Sequence, residues 1–374
     1  MSAPAAPGAP GPAAVTPDDL RAAVAAGFLS EAQAARLRSL SDSRRGAREG
    51  LAPHDEPFEL FRGFNEVFIV TGLVILAVGW LGATAVWVGL DSLDGGGAIR
   101  DVVARTIQAA VAGAAILWAL AEYFVRRRRM VAPAIALSVL WAGNAVIGLA
   151  AAFSEPFMVA QADYASLPLP FALATATLIL YWLRFRVPFA LATIAVGLFA
   201  TALVAAAARA GTPASVADIF LLSGQGPFAW VTLALGLAVF AAAMAFDLSD
   251  PHRVTRRAAN GFWLHLVAAP ALVNTVALTL LDDGSRGAQV LLLAFLLLVA
   301  LVAVVIDRRS FLIAGVGYSV ALAGAVFGDG AGAFTVLALG ALLLLLGAFW
   351  ERIRARLLGA LAPVLPVGRL PPAA

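Results

Sequence analysis

His54, His252 and His265 are the only imidazoles in the chain, and cysteine is absent. Disulfides, thiolate metal sites and thiol nucleophiles are therefore excluded, and any nitrogen base or ligand must come from these three. His265 is the strongest candidate, because it follows Asn260-Gly-Phe-Trp-Leu a few residues inside an apolar stretch. A neutral imidazole at that depth can shuttle a proton, act as a base beside a lipid head group, or simply hydrogen-bond a neighbouring helix. Asn144 and Asn274 are two further polar side chains inside apolar stretches, and with His265 they form a candidate polar intramembrane site. Asn144 needs a partner, most simply a carbonyl or Asn274 on another helix. Asn274 falls on the helical face opposite His265, which argues against one site holding both.

Other chemistry has little to stand on. There is no nucleotide-binding Gly-rich loop, no HExxH and no GxSxG elbow. Ser223-Gly224 and Gly317-Tyr318-Ser319 come nearest to an intramembrane serine nucleophile, without a histidine suitably placed. Glu66, Glu122, Asp247, Asp307 and Glu351 lie near the ends of apolar stretches, within reach of water or a neighbouring Arg. None is expected at mid-span, where a charge costs at least about 2.5–3.5 kcal/mol, and this weighs against a proton-coupled pump. Neither a metal nor a cofactor is expected.

The elements that must position these residues follow from composition. Hydrophobic residues make up 61% of the 374, charged residues 13%, and the mean hydropathy is +0.90, far from the usage of soluble domains. The apolar residues come in continuous runs of about 17–24, which suits helices and not the alternating strands of a β-barrel. The fold expected is an all-α polytopic bundle with spans near 67–90, 102–124, 130–153, 168–184, 187–208, 227–246, 262–281, 288–306, 311–328 and 331–350.

The 26 basic residues are all Arg, and the abundance of Ala, Gly and Pro points to a GC-rich bacterial genome and hence an inner membrane. With the N-terminus inside, only Arg100, Arg105, Arg209 and Arg286 fall outside, so both ends are expected in the cytoplasm. Tyr123-Phe-Val-Arg-Arg-Arg-Arg, Tyr181-Trp-Leu-Arg-Phe-Arg and Val305-Ile-Asp-Arg-Arg-Ser-Phe lead into Ala-rich stretches alike. They read either as two-helix repeats or as what the positive-inside rule imposes on any hairpin. Arg126, Arg127, Arg128, Arg129, Arg256, Arg257, Arg308 and Arg309 are candidates to contact lipid head groups. Gly72, Gly79 and Gly82, and Gly324-x-x-x-Gly328, are expected to let helices approach closely. The small net charge, +3, implies no nucleic acid.

Residues 1–15 read as a disordered tail. Thr16-Pro17-Asp18-Asp19 is a helix start, and Ser30 with Gln33 forms a capping box, so a cytoplasmic helical hairpin is expected over 16–45. Leu37 and Leu40 should supply the apolar face of its second helix, and so short a hairpin must lean on the bundle, on its own copy or on another protein. Residues 46–66 read as a linker with an aromatic, amphipathic lead-in at Phe58, Leu60, Phe61 and Phe64. The bundle covers 67–350, and 351–374 form a cytoplasmic tail. A short surface helix is expected from Thr212-Pro213 to Leu222.

Arg256-Arg257-Ala-Ala-Asn-Gly-Phe-Trp-Leu-His-Leu-Val-Ala-Ala-Pro, Asp307-Arg308-Arg309-Ser-Phe-Leu, Gly63-Phe64-Asn65-Glu66 and Ala26-Gly27-Phe28-Leu29-Ser30-Glu31 together resemble a family of bacterial membrane proteins, the domain-of-unknown-function 2157 type. The likeness spans most of 18–350 and implies the topology without implying an activity. Asn260 and Asn274 stand where that pattern implies an acid and a second His, so a protonatable site there would be altered in this chain. The expected function is a non-enzymatic scaffold or regulatory membrane protein. A transporter or channel for a small neutral solute and a lipid-modifying enzyme with His265 as base are the alternatives.

Overall fold

The computed structural model describes residues 15–44, 64–93, 99–156, 158–253, 255–327, 332–363 and 370–371. The tail over 1–14, the lead-in from Phe58 to Arg62, and Gly328 lie outside them. Every regular element among the described residues is helical. Two short helices come first, α1 (Pro17–Ala25) and α2 (Glu31–Arg44). Long helices follow: α3 (Phe64–Leu93), α4 (Ile99–Ala121), α5 (Ala132–Phe153), α7 (Pro168–Phe185), α8 (Pro188–Ala210), α9 (Phe228–Leu248), α10 (Arg256–Asp283), α11 (Arg286–Ile306), α12 (Ser310–Phe327) and α13 (Gly332–Leu361). The four-residue α6 (Met158–Gln161) lies in the connection after α5.

Eight of these helices, α3 to α5 and α7 to α11, are long and apolar enough to cross a bilayer. The described apolar part of α12, Gly315–Gly324, is shorter, and α13 is not among the eight. A multi-pass membrane protein is what such a set of helices builds.

Local chemistry explains the helix ends. Thr16 caps α1 in a full capping box with Asp19, and Ser30 and Gln33 exchange the same pair of bonds at α2. Gly27, at φ 75°, ends the first helix in the left-handed region. Between α1 and α2 the buried contact is made by Ala34 and Ala35 with Val24 and Leu29, while Leu37 and Leu40 are exposed. The expected apolar face of α2 is thus displaced, because the small alanines let the two helices close up. Outside the membrane helices, the segment after Thr212 forms only a 3-10 turn at Val216–Ile219, capped by Ser215 and not by Thr212.

Close helix approaches occur at other glycines than those expected. Nothing lies within 4 Å of a Cβ built on Gly72, Gly79, Gly82 or Gly324. Tight contacts instead include Gly113 against Asn144, Gly148 against Ala110, Gly197 against Thr175, Gly236 against Ala271 and Leu272, and Gly261 against Asp247. Position on a glycine-rich helix does not reveal which face meets a neighbour. Helix α10 is the centre of the bundle, packed against α8, α9, α11 and α12. By contrast α3 is the least covered, with only Glu66 and Leu73 buried among its described side chains. Glu66 accepts from the backbone N–H of Ala132 at 2.9 Å, so a carboxylate of one helix satisfies an orphan donor at the start of α5.

Candidate functional site

Polar groups collect where α9 hands over to α10 and α11 to α12. Asp247 sits one residue before the end of α9, and its carboxylate is gripped by Arg308, with Nε at 3.0 Å from Oδ2 and Nη2 at 2.5 Å from Oδ1. This is the two-pronged geometry that a planar guanidinium offers and an ammonium does not. His265 Nε2 lies 2.9 Å from the same Oδ2. Since a carboxylate only accepts, that ring nitrogen carries the proton and donates it. The same Nη2 also donates to the Ala258 carbonyl at 3.1 Å. A Cβ on Gly261 would overlap Asp247 Oδ1. Asn260-Gly-Phe-Trp-Leu-His therefore has a structural logic: Gly261 and His265, one turn apart, make a seat for a carboxylate from the neighbouring helix.

Two turns fix this seat. Asp250 accepts from Thr255 N, Thr255 Oγ1 and Ala258 N at 2.9, 2.7 and 3.3 Å, tying down the start of α10. Arg253, at φ 54°, and Asp307, at φ 58°, both adopt the left-handed backbone that non-glycine residues rarely take. Each is held there by the other, with Arg253 Nη1 at 2.9 Å from Asp307 Oδ2 and Nη2 at 2.7 Å from the Asp307 carbonyl. Local strain of this kind persists because surrounding bonds over-determine it. Trp350 Nε1 donates to Asp307 Oδ1 at 2.7 Å, and Arg354 donates to the carbonyls of Val304 and Pro371, which brings in α13.

Asp247, Asp250, Asp307, Arg253, Arg308 and Arg354 are all buried. Their formal charges balance, three against three, and two direct ion pairs join them, Arg308 with Asp247 and Arg253 with Asp307. That balance matters, because buried charge is tolerated only when it is paired and hydrogen-bonded. On the apolar side Phe240 and Phe311 stand against His265, with ring centroids 5.5 and 5.7 Å away. Chemically the arrangement is a clamp: it fastens α9, α10, the α11–α12 turn and α13, and it holds the imidazole Nε2 on a carboxylate instead of offering it to a substrate. Among the described residues no three His, Asp or Glu side chains cluster so as to hold a metal ion.

The three intramembrane candidates are not brought together. Asn144 Nδ2 donates to the Ala110 carbonyl of α4 at 2.9 Å, a carbonyl partner of the kind expected. His265 belongs to the clamp, and Asn274 Oδ1 accepts from Tyr318 of α12 at 3.2 Å. Of the proposed lipid-contacting arginines, Arg126 to Arg129, Arg256, Arg257 and Arg309 are exposed, and Arg309 lies 5.3 Å over the Trp350 ring. Arg308 is fully buried, so its place among them is corrected: its guanidinium is used inside the protein. Adjacent arginines thus have opposite fates, because the left-handed Asp307 turns the next side chain inward.

Asp247, Gly261, Arg253, Asp307, Trp350 and Arg354 are not among the site residues read from the sequence, and Arg308 is there only as a lipid contact. One signal was present: the runs Asn260 to His265 and Asp307 to Arg309, singled out in the sequence, contain three of them, Gly261, Asp307 and Arg308. These runs meet in space, although 42 positions separate His265 from Asp307. The chain matches no protein-family model, no curated protein and no solved structure.

Proposed function

We propose that the chain is a ten-span protein of a bacterial inner membrane, with both ends in the cytoplasm, that acts as a non-enzymatic scaffold or regulator through its N-terminal helix pair. Helices α12 and α13 supply the ninth and tenth spans, and the Arg distribution supplies the orientation. The observation carrying the functional reading is the seating of α1 and α2 with apolar side chains turned outward. Asp18 bonds Arg129 of the α4–α5 turn at 3.2 Å, while Phe28, Leu37 and Leu40 remain exposed. Burial works against the charge on Asp18, but Arg21 and Arg129 outweigh it and hold the carboxyl below its ordinary value. Glu31 is pushed the other way, by burial and by the neighbouring Asp250.

Exposed apolar groups on a fixed cytoplasmic element suit a protein partner better than water. Catalysis and transport have weaker support, since the imidazole of His265 is clamped and the three intramembrane polar residues reach three different partners. A photo-crosslinking amino acid at Phe28 in intact membranes tests the reading. It should give a protein adduct of defined size that is lost when Leu37 and Leu40 become Ser. Lipid adducts alone, or an adduct indifferent to those changes, would overturn it.

A further inference from the structure

A cavity of about 530 Å³ lies between α3, α4 and α5, away from the ion clamp and from the helix pair. From Leu73 to Val88 of α3 its wall runs about 22 Å at 1.5 Å per residue. No ionisable side chain lines it. Its polar groups include two that converge at mid-helix. Asn144 Oδ1 and Trp80 Nε1 lie 2.6 and 3.3 Å from where a Cβ on Gly113 would stand, so the absence of that Cβ lets the Asn144 amide settle against α4 beside the indole. The bond from Asn144 Nδ2 to Ala110 fixes the amide with its oxygen toward this point. Among the described residues none donates to that oxygen, and none accepts from the Trp80 indole.

We infer that this cavity binds a single-chain lipid alcohol, an uncharged apolar chain carrying one hydroxyl. The hydroxyl alone among small neutral groups both donates to Asn144 Oδ1 and accepts from Trp80 Nε1 with one atom. The chain lies along the α3 wall, among Leu73, Leu76, Ala77 and Leu81. At the ~30 Å³ that one water claims in the liquid, the volume holds about 18 heavy atoms, one chain and not two. The absence of charge disfavours a fatty acid or a phosphorylated lipid, whose anion would be left unpaired at this depth. This inference is independent of any partner of the N-terminal helices.

The test is native mass spectrometry of the full chain released from detergent with added farnesol, 1-hexadecanol, hexadecane or palmitate. One or both alcohols should bind saturably at one molecule per chain, and which of them binds distinguishes an isoprenoid from a fatty source. Hexadecane and palmitate should bind at least about fivefold more weakly, as loss of one hydrogen bond implies. Trp80→Phe keeps the ring and removes the donor, so it should weaken the alcohols about fivefold. Ala77→Trp should fill the space and abolish binding. Equal binding of hexadecane, alcohol affinity unchanged in Trp80→Phe, or a dimer that takes up no alcohol would overturn the proposal.

Discussion

Replacing Asp247 by Leu removes the acceptor of two guanidinium bonds and one imidazole bond, while Arg308 stays fully buried. Leaving one partner of a buried pair uncompensated costs about 3–5 kcal/mol. At roughly 2–4 °C per kcal/mol for a chain of this size or somewhat smaller, the melting midpoint should fall by about 10 °C. Arg308→Met alone should cost a similar amount, because the carboxylate then keeps only His265. The double variant Asp247→Leu/Arg308→Met is the informative one. It buries no unpaired charge and strands only the Ala258 carbonyl and His265 Nε2, at about 1 kcal/mol each. It should therefore be more stable than either single variant. Fluorescence-detected size exclusion after heating, in one detergent for all four proteins, measures this. Additive losses in the double variant, or single variants that melt with the parent, would refute the reasoning that charge pairing holds these helices.

Gly261→Ala should be destabilising by about 1–3 kcal/mol although alanine is the better helix former, since its Cβ overlaps Asp247 Oδ1; the same heating assay reads it. Seating of the N-terminal helices should depend on pH with opposite signs at two groups. Asp18 is lowered from 3.8 by Arg21 of its own helix and by Arg129, and only the Arg129 share belongs to seating; that share is present above 3.8 and fades as pH falls through the lowered value. Glu31 is raised from 4.5, so its neutral form favours seating and the benefit is lost as pH rises through the raised value. Seating should then be strongest between the two, around 3.8–4.5, and at neutral pH Glu31→Gln should tighten it while Asp18→Asn loosens it. Both effects should be under about 1 kcal/mol, read by cross-linking of engineered cysteine pairs in this cysteine-free chain.

The helices were legible because continuous apolar runs have one solution in a bilayer. The stretch expected near 130–153 and the helix Ala132–Phe153 are an example, as is the capping of α1 by Thr16. The clamp was not legible, because periodicity says nothing about turn conformation. Asp247 and Asp307 read as acids near helix ends with water in reach. Left-handed Arg253 and Asp307 fold them inward instead, a choice made by tertiary bonds and not by the residue types. Arg308 and Arg309 are indistinguishable as sequence for the same reason. His265 was found, but its role depended on a carboxylate that comes from another helix. Asn144 was likewise found without the donor beside it, since nothing in the sequence ties Trp80 to a residue of another helix.

The order in which the clamp's members appear has a consequence for how the chain is made. Asp247 precedes Arg308 by 61 positions, and synthesis at 5–20 residues per second leaves a gap of about 3–12 s between them. For that interval α9 enters the membrane with an acid whose principal counter-charge does not yet exist. His265, 18 positions later, is the first member able to hold it, and the α11–α12 turn then takes over. Ribosome position thus sets a schedule of handovers, and a chain stalled before Arg308 holds its acid with the imidazole alone.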